Sequence, residues 1–199
     1  MRLILTRHGE TFWNTKHLMQ GTTDTKLSEK GIAEGEKLAK RLRRQHFDYI
    51  YSSPLSRARK TAEAIVAYHS DTPFEVTDAL VERDFGEFDG HTKKEIGWNT
   101  FPHPEPKKGE QSIDVVGRAS KFVTKLLKKY GKNATILLVA HKYINAAIIG
   151  AVLNADWNSI YDMSKWGNTS VTILDVEKLG QGEIVLLDDV GFQYTMYPK

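Results

Sequence analysis

Two histidines stand at the ends of apolar runs far apart in the chain: His8 follows Leu3-Ile4-Leu5, and His141 follows Ile136-Leu137-Leu138-Val139-Ala140. Side chains delivered at the carboxyl ends of two strands can meet when those strands are sheet neighbours, and this is the end at which open α/β sheets build their sites. The turn Thr6-Arg7-His8-Gly9 offers backbone N–H groups, with Gly9 allowing close approach of an anion. Arg7 and Arg57 contribute guanidinium forks whose geometry suits phosphate. Each piece has a plainer reading: a histidine held by structural hydrogen bonds, a surface or capping Arg57, an exposed loop carboxylate at Glu82. Their joint occurrence points to phosphoryl chemistry.

The elements that must position these groups can be read from periodicity and punctuation. Leu3-Ile4-Leu5 and Ile136 to Ala140 predict buried strands, the second fit for the centre of a sheet covered on both faces. Ser28 predicts an N-cap for an amphipathic helix whose apolar positions are Ile32, Ala33, Leu38, Ala39 and Leu42. Tyr49-Ile50-Tyr51 reads as a strand, and Ala58, Ala62, Ile65 and Val66 mark a helix with Arg57 near its start. Phe74-Glu75-Val76 reads as an edge strand.

A helix is expected from about Ser112 to Tyr130 and another from Tyr143 to Leu153, with late strands near Val171 to Leu174 and Ile184 to Leu187. Pro102, Pro104 and Pro106 exclude a regular helix between Gly97 and Gly109 and predict a surface loop there. Strands alternating with helices imply an α/β fold, a three-layer α/β/α sandwich around a mostly parallel sheet. One domain is expected over 1–199, with a substrate-shaping loop at 91–111.

Composition narrows the chemistry further. The 199 residues include no cysteine, which removes disulfides, thiolate catalysis and cysteine-ligated metals. No His-Glu-x-x-His or comparable spacing occurs among the seven histidines, so neither a metal nor another cofactor is expected, and His17, His46, His69 and His91 read as surface or capping residues. No segment approaches the roughly 20 apolar residues of a membrane span, and no signal-peptide h-region precedes the first polar motif, so a cytoplasmic protein with no membrane partner is expected. The net charge of +3 suits a small anionic substrate. Lys37, Lys40, Arg41, Arg43 and Arg44 read as a solvated helix face rather than a nucleic-acid surface. Monomer and dimer both remain open.

The motifs, taken in order, resemble the histidine phosphatase superfamily, in the branch that includes the cofactor-dependent phosphoglycerate mutases. The resemblance begins with Leu3 to Thr11, continues through Asn14, Gln20-Gly21, Asp24, Leu27, Ser28 and Gly31, and takes in Ser52-Ser53-Pro54-Leu55-Ser56-Arg57-Ala58. It extends through Leu80 to Gly90, Gly109-Glu110 with Asp114 and Arg118, Leu138 to His141, and Asn168 to Val171. It implies that His8 attacks phosphorus and becomes a phosphohistidine, while Arg7, Arg57 and His141 hold the phosphoryl oxygens. Glu82 would protonate the leaving oxygen and then activate water. Gly9, Asn14, Gln20 and Gly21 would complete a phosphate-binding pocket for a small phosphorylated metabolite.

The chain also departs from the family pattern. Lys142 stands where glycine commonly follows the second histidine, and is expected to lie in solvent; Gln111 replaces a serine. The pair Glu82-Arg83 resembles the mutases, but Phe85 takes the place of a mutase tyrosine, and the segment between Glu82 and His141 is shorter than theirs. That segment places Trp98, Phe101, His103, Lys107 and Lys108 on a proline-rich loop expected to shape the pocket mouth. Without a closed lid, water should reach a phosphohistidine, so hydrolysis is expected over transfer. The alternatives are a mutase-type phosphotransferase and a non-catalytic binding module on the same fold.

Overall fold

The computed structural model describes residues 1–100, 102–163 and 165–190; Phe101 lies outside them. The strands are β1 (Arg2–Arg7), β2 (Tyr49–Ser52), β3 (Phe74–Val76), β4 (Thr135–Ala140), β5 (Val171–Lys178) and β6 (Gln181–Asp189). The helices are α1 (Phe12–Thr15), α2 (Glu29–Leu42), α3 (Ser56–Val66), α4 (Ser112–Tyr130), α5 (Lys142–Leu153) and α6 (Trp157–Asp162). The strands form one sheet in the order β3-β2-β4-β1-β5-β6. The first four of that order run parallel, while β5 and β6 are antiparallel to their neighbours.

Alternation along the central strands divides the core. Leu3, Leu5, Ile136, Leu138 and Ala140 face a layer built from α4 and α5. Ile4, Leu137 and Val139 face the layer of α2 and α3. The five residues Ile136 to Ala140 are wholly buried, as a strand covered on both faces requires. Truncating one such leucine to alanine costs about 2–5 kcal/mol, so β4 is a rigid support for whatever follows it.

Ser28 caps α2, its side chain accepting the Gly31 amide, and α4 spans the predicted range. The inner face of α2 differs from the expected one. Gly31, Gly35, Leu38, Ala39 and Leu42 are buried, whereas Ile32 is half exposed and Ala33 is exposed. The reason is backbone proximity: a Cβ on Gly31 would lie 1.9 Å from the Glu10 carbonyl oxygen, so the first turn of this helix makes its contact through glycine, which a hydrophobicity pattern does not register. The short helices α1 and α6 also escaped the periodicity reading, being too brief to repeat a pattern.

Candidate functional site

The register of the two central strands sets Arg7 opposite Ala140, so the next residues, His8 and His141, emerge side by side. Their ring centroids are 5.1 Å apart. Both are buried at the carboxyl end of the sheet, where a cavity of about 670 Å³ is lined by Arg7, His8, Asn14, Gln20 and Glu82, among others.

His8 is fixed in one tautomer. Its Nδ1 lies 2.7 Å from the Gly9 carbonyl oxygen, which can only accept, so Nδ1 carries the hydrogen and Nε2 keeps its lone pair. Burial, then the neighbouring guanidinium groups of Arg57 and Arg7, hold the His8 imidazole well below its ordinary pKa. A neutral imidazole with a free Nε2 lone pair is a nucleophile.

The backbone around it is pinned from several sides. The His8 amide donates to the Ala140 carbonyl at 3.1 Å, and the His8 carbonyl accepts from Asn168 Nδ2 at 3.0 Å. The Gly9 amide donates to Thr61 Oγ1 at 3.1 Å, so it is already engaged rather than open to an anion. Glycine is required there for another reason: a Cβ would sit 2.3 Å from the Gly31 carbonyl oxygen. Gly21 is likewise structural in its contacts, its amide donating to Asp89 at 2.6 Å and its carbonyl accepting from Arg57 Nη2 at 2.8 Å.

Arg57 is wholly buried, and its Nη1 donates to the Thr23 carbonyl at 2.8 Å. Burial lowers its pKa to about 10, which leaves it cationic at neutral pH. Arg7 Nη1 donates to the Trp166 carbonyl at 2.7 Å. In both arginines the Nε is buried without a hydrogen-bond partner among the described residues, and the same holds for His141 Nδ1. The other nitrogen of His141, Nε2, lies 2.8 Å from Ser53 Oγ. Burial, Arg57 and His8 hold His141 neutral. A hydroxyl donating to Nε2 would leave the hydrogen on Nδ1, turning that atom into a donor.

Glu82 is buried against the start of α5. Its Oε1 accepts the amides of Arg83 at 2.9 Å and Ile144 at 3.1 Å, and its Oε2 accepts that of Tyr143 at 3.1 Å. These bonds and Arg57 favour the carboxylate, but burial outweighs them and raises its pKa. The approach to Glu82 is braced by Arg118, which donates to the Ala79 and Val81 carbonyls at 3.0 and 2.7 Å and pairs with Glu110. The Glu110 and Arg118 motif therefore serves to place Glu82.

Asn14 and Gln20 line the cavity with their oxygens already engaged. Asn14 Oδ1 accepts from Thr11, closing a capping box on α1, and Gln20 Oε1 accepts from Thr11 and Thr25 hydroxyls at 2.8 and 2.6 Å. Their amide nitrogens remain available to a ligand. Among the described residues no three His, Asp or Glu side chains are grouped to hold a metal ion, and no helix is long and apolar enough to cross a membrane.

Several expectations are corrected here. Lys142 lies along the cavity, half-buried, rather than in solvent. His17 is exposed, as expected of a surface residue, and stands at the cavity's edge. The loop from Gly97 to Gly109 contributes Asn99 to the lining, whereas Thr92, Lys93 and Lys94 come from just before it. Trp98 is buried with His103 stacked on it at 4.8 Å, and the amides of Lys107 and Lys108 are tied to Glu87. Ser53 and Thr61, which hold His141 and Gly9, were not singled out by sequence; only their place in the Ser52-to-Ala58 turn and on the inner face of α3 hinted at them.

Comparisons with known proteins identify the family. Residues 3–189 match the model of the histidine phosphatase superfamily (branch 1). Phosphoserine phosphatase 1 of Hydrogenobacter thermophilus is 31% identical over 188 residues, covering 89% of this chain and 88% of that protein. A 2,3-bisphosphoglycerate-dependent phosphoglycerate mutase of Bartonella quintana is 33% identical over 165 residues, covering 75% and 80%. A solved mycobacterial glucosyl-3-phosphoglycerate phosphatase superposes with a TM-score of 0.82 at 27% identity, covering 94% of this chain and 98% of that one. With a family model spanning nearly its whole length and the two histidines paired at the centre of its sheet, the chain belongs to the histidine phosphatase superfamily.

Proposed function

We propose that this protein is a metal-independent phosphatase that hydrolyses small phosphate monoesters through a phosphohistidine on His8. The observation that carries the reading is a neutral nucleophile, His8 with its free Nε2, beside three groups that keep a buried nitrogen without a partner among the described residues: Arg7 Nε, Arg57 Nε and His141 Nδ1. A phosphoryl group in transfer spreads negative charge over its equatorial oxygens, and fixed donors in a dry site stabilise that charge without reorganisation.

In the forward step His8 Nε2 forms a bond to phosphorus as the ester oxygen leaves and takes a proton from Glu82. Oε2 is the suited atom, since it accepts one amide bond where Oε1 accepts two. The carboxylate so formed then removes a proton from water attacking the phosphohistidine, which releases phosphate and returns both groups to their starting states. Relatives named as phosphatases of phosphorylated small molecules support hydrolysis as the outcome.

Mutase-type transfer rested on the pair Glu82-Arg83. The Arg83 side chain is wholly buried, donating to the Glu110 carbonyl at 2.9 Å, pairing with Glu105 and lying 5.5 Å from the ring centroids of Phe85 and Tyr143, so it is unsuited to hold a substrate carboxylate. The test is a panel of phosphorylated metabolites assayed without added metal, for the wild type and His8→Ala. Phosphate release that is lost in His8→Ala is the expected result. Activity surviving His8→Ala contradicts the mechanism, and fast 2-/3-phosphoglycerate interconversion with negligible phosphate release, given a bisphosphoglycerate primer, contradicts hydrolysis.

A further inference from the structure

The cavity carries more positive charge than a single phosphoryl group requires. Arg7 lines it with His8, and Arg57 and His141 are buried close to His8, yet Lys142 and Lys93 line the cavity as well. Both lysine ammonium groups lie against one aromatic ring: Lys142 Nζ is 4.0 Å from the centroid of Tyr161, and Lys93 Nζ is 5.3 Å from it. Two like charges gathered on one ring repel each other, and among the described residues no carboxylate forms an ion pair with either, though Asp162 acts on both from a distance. The lysine ion pairs of the described residues involve Lys30 and Lys132.

The carboxylates that might have served are engaged elsewhere. Asp162 faces His103 Nε2 at 3.2 Å, Glu82 is held by three backbone amides, and Glu10 pairs with Lys30. Asp188 accepts the amides of Trp166 and Gly167. The aromatic face supplies a cation–π contact that holds the ammonium groups in place without neutralising them. Such an arrangement is ready for an anion brought in from outside.

We propose that Lys142 and Lys93 form a second anion subsite, so that the enzyme prefers phosphate monoesters whose leaving part carries a further anionic group, a carboxylate or a second phosphate. Lys142 is the determining member, because it directly follows His141 and is the more closely held. The inference rests on the phosphatase reading and deepens it.

The subsite is also sensitive to pH. Lys142 is acted on by Arg7 from β1, Lys93 from the loop before Trp98, Asp162 from α6 and Asp188 from β6, and rests on Tyr161 of α6; the exposed Lys165 shares only the cavity lining. Burial, then Lys93 and Arg7, lower its pKa to about 7, with Asp162 and Asp188 acting in the opposite direction. An arriving anion favours the charged amine, so its binding takes up a proton. The preference for a second anion is therefore greatest below pH 7 and shrinks as pH rises beyond it.

The matched substrates sn-glycerol 1-phosphate and D-3-phosphoglycerate differ only in a hydroxymethyl against a carboxylate, and 1,3-propanediol bisphosphate set against 3-hydroxypropyl phosphate tests a second phosphate. At pH 6.5 the ratio of kcat/KM, doubly anionic over singly anionic ester, should be at least tenfold. It should fall at least fivefold in Lys142→Met, by less in Lys93→Met, and return in Lys142→Arg. Between pH 6.5 and 8.5 the ratio should decline in the wild type and stay flat in Lys142→Arg, a difference that a merely structural lysine would not produce. Which doubly anionic ester gains most identifies the anion. A ratio near one, or a ratio unmoved by both methionine variants, overturns the subsite. Equilibrium binding of the same esters to His8→Ala reads the preference without turnover: its absence there sinks the subsite alone, while absence of turnover in the wild type sinks the hydrolysis reading alone.

Discussion

The two ends of strand β1 carry one arginine each, and they are put to opposite uses. Arg2, at the start, makes a paired contact with Asp175, Nε to Oδ1 at 2.8 Å and Nη2 to Oδ2 at 2.6 Å, in a partly exposed setting. Arg7, at the finish, is paired with no carboxylate among the described residues, where it gives one hydrogen bond to a carbonyl and keeps a buried Nε unspent. The Arg2 end borders the larger hollow, about 1300 Å³ against about 670 Å³, yet Arg2 and Lys132 there each meet a carboxylate of the protein, Asp175 and Glu177. Size is thus a poor guide to function in this molecule. Unmet buried donors occur elsewhere too, as at Arg41 Nε, but their grouping beside the His8 and His141 pair is a better guide, since an unmet donor costs stability and is retained where a ligand meets it.

The comparison can be broken most sharply at Arg57. Arg57→Ala should lower kcat for any phosphate monoester by about 10²–10³, the range for loss of one preorganised donor to a transition state. It should also loosen the Gly21 and Thr23 segment whose carbonyls it ties, which accelerated amide hydrogen exchange there would register. Retained turnover would mean that the unspent donors do not serve catalysis.

Glu82→Gln should reduce kcat by about 10²–10³ for alkyl phosphates, in the range for a positioned acid, and much less for p-nitrophenyl phosphate, whose leaving group needs little protonation. The pH profile adds a sign. Because burial raises the Glu82 pKa, activity on alkyl phosphates should fall as pH rises through that value, and this limb should vanish in Glu82→Gln. At the acid side His8 loses its nucleophilic form only when it protonates, and its depressed pKa keeps that loss below the usual histidine range.

A smaller effect is expected at Ser53, which acts on substrate only through His141. Ser53→Ala should cost about tenfold in kcat, roughly one hydrogen bond, and should shift the ring-nitrogen NMR signals of His141 toward mixed tautomers. Smallest of all is Arg2→Ala at the opposite end: unchanged turnover and a stability loss below about 1 kcal/mol, as for a partly exposed ion pair. Since Arg2 holds the Asp175 carboxyl below its ordinary pKa, what stability the pair gives is present at neutral pH and is lost as pH falls through the folded-state value. A large catalytic defect in this variant would erase the distinction between the two ends.

Legibility from sequence followed the range of the interactions involved. The pairing of His8 and His141 could be read because two short apolar runs end at those residues and central strands of such composition become neighbours. The cap at Ser28 and the span of α4 are local, within a few residues, and were equally readable. The inner face of α2 was misread because Gly31 contributes by lacking a side chain. Lys142 was misplaced because its position depends on Tyr161, an element away, and Ser53 was passed over because its partner His141 is 88 residues distant. The clamp on Glu82 was invisible for a like reason: its donors are backbone amides at the start of α5, which carry no sequence signature.

The central claim is that His8 Nε2 takes the phosphoryl group from substrate, and a rapid-quench experiment with ³²P-labelled ester tests it most directly. Quenching under alkaline conditions during the first turnover, followed by peptide mapping, should find the label on the peptide containing His8, stable to base and lost in acid, with none in His8→Ala. Label on His141 or on a carboxylate, or full turnover with no protein-bound phosphate at any time, would contradict the account.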